Sequence, residues 1–130
     1  MLNQVVIEGN LVRDPILRRT KDGTAVANFT IACNRDYNRE LADYVDCVLW
    51  REEGLEFSKY AEKGRRVVVT GRLQGKVWTG RDGQKRTGME INADSVRFID
   101  GRKGRERPVT EEEPGPEDYP YIPSDDEIPF

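Results

Sequence analysis

Apolar residues recur at every second position through five stretches of this chain, and a single stretch between them breaks the rhythm. In NQVVIEGNLV, Val5, Ile7, Gly9 and Leu11 fall on one side and Gln4, Glu8 and Asn10 on the other, as in a half-buried strand. Asp14-Pro15 is expected to end it. TAVANFTIACN turns Ala25, Ala27, Phe29, Ile31 and Cys33 inward, and the charged RDYNRELAD after it is expected to be a loop. YVDCVLW places Val45, Cys47 and Leu49 on one face and Tyr44, Asp46, Val48 and Trp50 on the other, because side chains alternate along a strand. EEGLEFSKYAEKG then changes period. Leu55, Tyr60 and Ala61 among charged neighbours predict a short helix with acids at its start and Gly64 as its stop.

RRVVVTGRL resumes the alternation with Val67, Val69, Gly71 and Leu73 inward, and QGKVWTGRDGQKRTGMEI reads as two strand arms around Asp82-Gly83, a strong hairpin dipeptide. The return arm runs through Met89, Ile91 and Ala93 before its apolar phase slips to Val96 and Phe98. A bulge near Asp94-Ser95 accounts for the slip. Three strands, a helix and two strands predict an all-β fold, a five-stranded OB-type barrel with its helix between the third and fourth strands. Closure removes the exposed edges that an open sheet would leave.

The periodicity stops near residue 101, and the composition changes with it. Residues 102–124 hold acids and most of the prolines, with almost no aliphatic side chains, so they are expected to be a disordered linker that cannot bury enough surface to offset its ordering entropy. Residues 125–130 form a tip of different character. Three carboxylates, Asp125, Asp126 and Glu127, precede Ile128, Pro129 and Phe130. A solubilising tail accounts for the acids but not for the apolar end. A partner offering an apolar pocket rimmed by Arg or Lys accounts for both.

Charge divides along the same boundary. Residues 1–107 carry all 21 Lys and Arg and 16 of the 24 Asp and Glu, a net +5, and the remaining eight acids lie beyond them with no base. A basic body suits a polyanion despite the overall charge of -3. The chain has no His, and Cys33 and Cys47 are isolated, which points to core thiols. Without a nucleophile motif, ligand cluster or phosphate-binding glycine loop, no catalytic residue, metal or cofactor is expected, and Gly71 and Gly75 read as strand bends. No stretch resembles a signal peptide or a membrane span, and the cytoplasm is the expected compartment.

The outward face of YVDCVLW sends Tyr44 and Trp50 toward solvent, and exposed large aromatics signal a contact surface. Trp78 lies between Lys76 and Arg81, and Tyr37 between Arg35 and Arg39. Rings interleaved with cations suit a single nucleic-acid strand, whose bases stack while its phosphates follow the charges. Arg72, Lys85 and Arg86 complete the set of candidate phosphate contacts by their nearness to the rings or to the hairpin.

VVIEGNLVRDP, GTAVANFTIACNRDY, DCVLW, YAEKGRRVVVTGRL, KVWTGRDGQKR and the terminal DDEIPF together resemble the bacterial single-stranded DNA-binding protein family. The resemblance implies an OB fold assembled as a homotetramer that wraps single-stranded DNA, without enzymatic activity. It implies stacking at Tyr37, Tyr44, Trp50 and Trp78, two of them Tyr where the best-known members have Trp. It also implies a tip, residues 125–130, that docks replication, recombination and repair proteins at the bacterial nucleoid. A specialised paralogue, or a primosome-type or RNA-binding OB protein, is the alternative, and DDEIPF argues against the latter.

Overall fold

The computed structural model describes residues 1–101, 106–109 and 111–112. Its elements are β1 (Val5–Leu11), β2 (Ile16–Arg19), β3 (Ala25–Arg35), β4 (Asn38–Trp50), α1 (Arg51–Tyr60), β5 (Arg66–Thr79), β6 (Lys85–Phe98) and β7 (Glu111–Glu112). Five of the strands close a barrel. β1 pairs with β5, β5 with β6, β6 with β4 and β4 with β3, and Asn10 and Leu11 of β1 return to Ala32 and Ile31 of β3. All these pairings are antiparallel except β4 with β6, which run parallel. The expected closed barrel is thus present, with its helix between β4 and β5.

Local expectations are corrected in three places. β1 ends before Asp14-Pro15 as expected, but no loop follows: Pro15 is buried and the chain resumes at once as β2, paired with β3, a strand that the alternation did not mark. RDYNRELAD is not a loop, because β3 and β4 run on to Arg35 and Asn38 and leave Asp36-Tyr37 as the turn. This arm projects from the barrel and its first residues are exposed on both faces, so nothing there selects alternating apolar side chains. The helix ends at Tyr60 with Ala61 extended, while Gly64, at a φ of 91°, shapes the turn that follows.

The interior is built from most of the predicted alternating positions; Leu73, expected inward, and Met89, on the same apolar phase of the return arm, are instead exposed, because the β5–β6 hairpin extends past the barrel there. Leu11, Ala25, Ala27, Phe29, Ile31, Cys47, Leu49, Val67, Val69, Ile91 and Ala93 are buried together, and Cys33 packs partly against them. From α1, Phe57 enters the same core, its ring centroid 4.8 Å from that of Phe29 and 5.5 Å from that of Phe98. The helix is therefore a lid held by aromatic packing. Beside it, Arg65 is nearly fully buried, lies 3.7 Å from the Phe98 ring centroid and donates twice to Asp100 at 3.1 Å.

Two glycines are set by close approach. A Cβ on Gly71 would lie 2.2 Å from the Asn92 carbonyl oxygen, and one on Gly54 would lie 2.2 Å from that of Leu49. The bulge predicted near Asp94-Ser95 is present: Thr70 faces Ser95 and Gly71 faces Ala93, leaving Asp94 as the extra residue.

Beyond residue 101, the described part of the expected linker lies against the barrel. The Arg107 N–H donates to the Lys59 carbonyl, Val109 packs on the core, and β7 pairs in parallel with β2. The rest of the expected linker and the whole tip, residues 125–130, lie outside the described residues.

Candidate nucleic-acid interface

Strand register assembles the outer face. On β4, Tyr44, Asp46, Val48 and Trp50 share one side, opposite Ala32, Thr30, Asn28 and Val26 of β3. Val48 faces Asn92 of β6, and Asn92, Glu90, Gly88 and Arg86 face Arg72, Gln74, Lys76 and Trp78 of β5. Partners across a ladder point to the same side, so Tyr44, Trp50 and Trp78 lie on one continuous surface. The residues between them on β6 are small or polar.

The three rings differ in setting. Tyr44 is 71% exposed and Trp78 38% exposed. A Cβ on Gly88 would come within 3.0 Å of the Trp78 ring, so this glycine is the seat on which the indole rests. Lys76 Nζ lies 5.1 Å from the Trp78 ring centroid, within cation–π range. Trp50 corrects the expectation that it points into solvent. It is half-buried at the end of β4 beside the fully buried Val26, and its Nε1 is buried with no acceptor among the described residues. Helix α1 starts at the next residue, so the chain wraps around the indole and leaves its open side to a groove of about 1000 Å³ shared with Arg19, Arg51 and Asn92. Arg51 makes that abrupt junction with a φ of 64°.

Tyr37 sits apart from the other three. It is 78% exposed at the β3–β4 turn, and its hydroxyl accepts from Arg35 Nη1 at 2.6 Å. Arg35 also donates to both Asp43 oxygens, at 3.1 and 2.9 Å, and these bonds hold Asp43 below the usual carboxylate range. Asp43 alternates with Tyr44 along β4, so this cluster takes the opposite phase of the arm.

Among the expected phosphate contacts, Arg72, Lys76 and Arg86 lie on the face of Trp78. Arg86 donates to Asp82 at 3.1 Å across the turn. Lys85 faces Thr79 and takes the other side, Arg81 is exposed in the turn, and Arg39 is exposed on the β4 arm.

Polar residues that the sequence reading left without a role complete the surface. Asp46 accepts from Thr30 Oγ1 at 2.8 Å and from Lys76 Nζ, and Arg13 Nη2 donates to Thr30 at 3.3 Å. Burial works to raise the Asp46 pKa, but the bonds from Lys76 and Thr30 outweigh it and hold the group low. Glu90 is 3% exposed and accepts from Gln74 Nε2 at 3.0 Å. Burial, reinforced by Asp46 and opposed by Gln74 and Lys76, pushes its pKa up. Asp46 was already visible in the sequence as an acid between two rings on the outward face of YVDCVLW. Glu90 gave no signal, because its burial comes from its place on β6 between β5 and β4.

The single-strand binding protein family matches residues 2–99. The chain is 47% identical over 105 residues to a protein of Oceanobacillus iheyensis named single-stranded DNA-binding protein, covering 77% of this chain and 65% of that one. It is 39% identical to single-stranded DNA-binding protein A of Bacillus subtilis, over 80% of this chain and 63% of the relative. Against single-stranded DNA-binding protein B of the same organism it is 41% identical, over 77% of this chain and 92% of the relative. The matched region thus spans just under two thirds of the length of the first two relatives.

Proposed function

The chain belongs to the single-strand binding protein family, and from that membership we propose that it binds single-stranded DNA without regard to sequence, across the face that carries Tyr44, Trp50 and Trp78. The observation that carries this reading is the register that puts these three rings on one side of the barrel with Arg72, Lys76 and Arg86 beside them. Stacking on rings is indifferent to base identity and contributes about 1–3 kcal/mol per base. Cations spaced along the same face neutralise phosphates, and each pairing releases counterions. Tyr37, apart from the other rings at the β3–β4 turn, and Arg39, on the β4 arm, extend the path toward the arm's tip.

Around this activity the remaining expectations form one scheme. The protein acts by binding, not catalysis, in replication, recombination and repair at the bacterial nucleoid. It assembles as a homotetramer, a reading supported by apolar side chains that the single chain leaves exposed: Val6 on β1, and Leu73, Val77 and Met89 on the side of the β5–β6 hairpin away from Trp78. Residues 125–130 recruit partner proteins, with Phe130 and Ile128 filling an apolar pocket and the three carboxylates meeting its basic rim.

Tryptophan quenching on titration with oligo(dT) and with a duplex of equal length tests the central reading. Strong quenching by the single strand, with an affinity that falls with salt at a slope of about -0.7 per phosphate neutralised, is the expected result. Equal quenching by the duplex overturns it.

A further inference from the structure

A cation meant for phosphate is ordinarily left free on a binding face, yet Lys76 is already occupied. Its Nζ donates to Asp46, which also accepts from Thr30, and the same Nζ lies 5.1 Å from the Trp78 ring centroid. Glu90 stands on β6 between Gln74 of β5 and the β4 strand that carries Asp46. It is almost fully buried, and its carboxylate accepts one hydrogen bond among the described residues, from Gln74. Two carboxylates and one ammonium therefore share a small area of the surface over which a polyanion is to pass.

We propose that Lys76 transfers from Asp46 to a phosphate when a strand binds, and that the Asp46 and Glu90 carboxylates so uncovered take up one proton between them. The inference rests on the reading of this face as the path of the strand. Lys76 keeps all three of its protons and exchanges one anionic partner for another. Asp46 and Glu90 lose the cation that stabilises both ionised forms, and the phosphate adds a further negative charge nearby. Like charges at close range disfavour joint ionisation, so one carboxylate becomes a carboxylic acid with a proton from solvent.

The groups facing the pair support this balance. Lys76 acts on Glu90 from β5 and Asp46 acts on it from β4, while Arg72 shares the β5 face two residues from Gln74. Arg13 reaches Asp46 from the β1–β2 connection, and Cys47 lies on the barrel side of the same strands. In the free protein burial pushes the Glu90 carboxyl up while Lys76 and Thr30 hold Asp46 low, so Glu90, next to Asp46 across the β4–β6 pairing, is the group that takes the proton. Asp46 is thus a positioning residue for Lys76 and Glu90 is the proton acceptor.

Calorimetric titration of the full chain with oligo(dT) in two buffers of different ionisation enthalpy, from pH 5 to 8 at constant salt, measures the proton directly. Proton uptake is expected, with affinity falling as pH rises by up to tenfold per unit, the limit for one linked proton. Glu90→Gln should abolish the uptake and bind more tightly than the parent at pH 8, the two converging toward pH 5. Asp46→Asn keeps an acceptor for Thr30 but loosens Lys76, and it too should bind more tightly at pH 8 with its melting temperature maintained. Equal binding enthalpies in both buffers across the range, with binding intact, overturn the transfer and leave the interface standing. Weaker binding by Asp46→Asn at unchanged melting temperature overturns it as well. Failure of the parent to bind oligo(dT) overturns the interface itself.

Discussion

Trp50→Phe separates the two roles of the half-buried indole. The substitution keeps an aromatic face toward the groove beside Arg19 and Arg51 and deletes the Nε1 donor, which is buried without an acceptor among the described residues. Phe buries roughly 40 Å² less apolar surface than Trp, a loss of about 1 kcal/mol at ~25 cal/mol per Å². An unsatisfied buried donor costs about 1–3 kcal/mol, and that cost disappears. The net effect lies between neutral and about 2 kcal/mol stabilising. A domain of this size gains about 4–8 °C per kcal/mol, so the melting temperature followed by circular dichroism should hold or rise. The chain has two tryptophans, so the variant also makes Trp78 the single indole reporter, and oligo(dT) quenching should persist through it. A fall in melting temperature beyond about 8 °C, a loss of more than 1 kcal/mol, would refute the reasoning, because it would mean that Nε1 has a stabilising partner.

Three further outcomes follow from particular contacts. Gly88→Val places a branched side chain where even a Cβ would come within 3.0 Å of the Trp78 ring; oligo(dT) binding should weaken by about 1–3 kcal/mol, the value of one stacked base, with melting nearly unchanged because Gly88 and Trp78 lie outside the core. Glu90→Gln should change the pH dependence of stability: the raised pKa of Glu90 contributes stability that is fully present below 4.5 and lost as pH rises through the raised value. Urea midpoints should therefore favour the variant at pH 7 and match the parent near pH 4. Ending the chain after Gly101 removes Val109 from the core, together with the Arg107–Asp14 and Arg19–Glu111 ion pairs; it should melt several degrees lower than a chain ending after Glu112, by about 4–8 °C per kcal/mol lost, and equal melting would show that these contacts contribute nothing.

The barrel was legible because its interior is lined by alternating residues on nearly every strand, and the slip from Ala93 to Val96 even located the bulge at Asp94. What escaped was structure without an apolar face to mark it. β2 is four residues long and follows a proline, with only Leu17 sent into the core, and the outer half of the β3–β4 hairpin projects into solvent on both sides. Phe57 was overlooked in the helix because it sits among Glu56, Ser58 and Lys59, and only the position of α1 over the barrel end turns it toward Phe29 and Phe98.

For the interface, period-two alternation brought Tyr44 and Trp50 together, since both lie on one strand. Joining Trp78 to them required knowing that β6 lies between β4 and β5, parallel to the first and antiparallel to the second, and strand order of that kind is not written in any one segment. The same order separates residues that are neighbours in the chain. Arg86 falls on the face of Trp78 while Lys85 falls on the other, and Arg35 is turned to Asp43 and Tyr37 on the phase opposite Tyr44. It also brings Glu90 and Asp46 to Lys76, from strands that come together only when the barrel closes. A face read from rings and cations alone is therefore incomplete, because the half-exposed Asp46 and the buried Glu90 stand beside Lys76, and on the proposed transfer they set what that cation must leave and what is taken up from solvent.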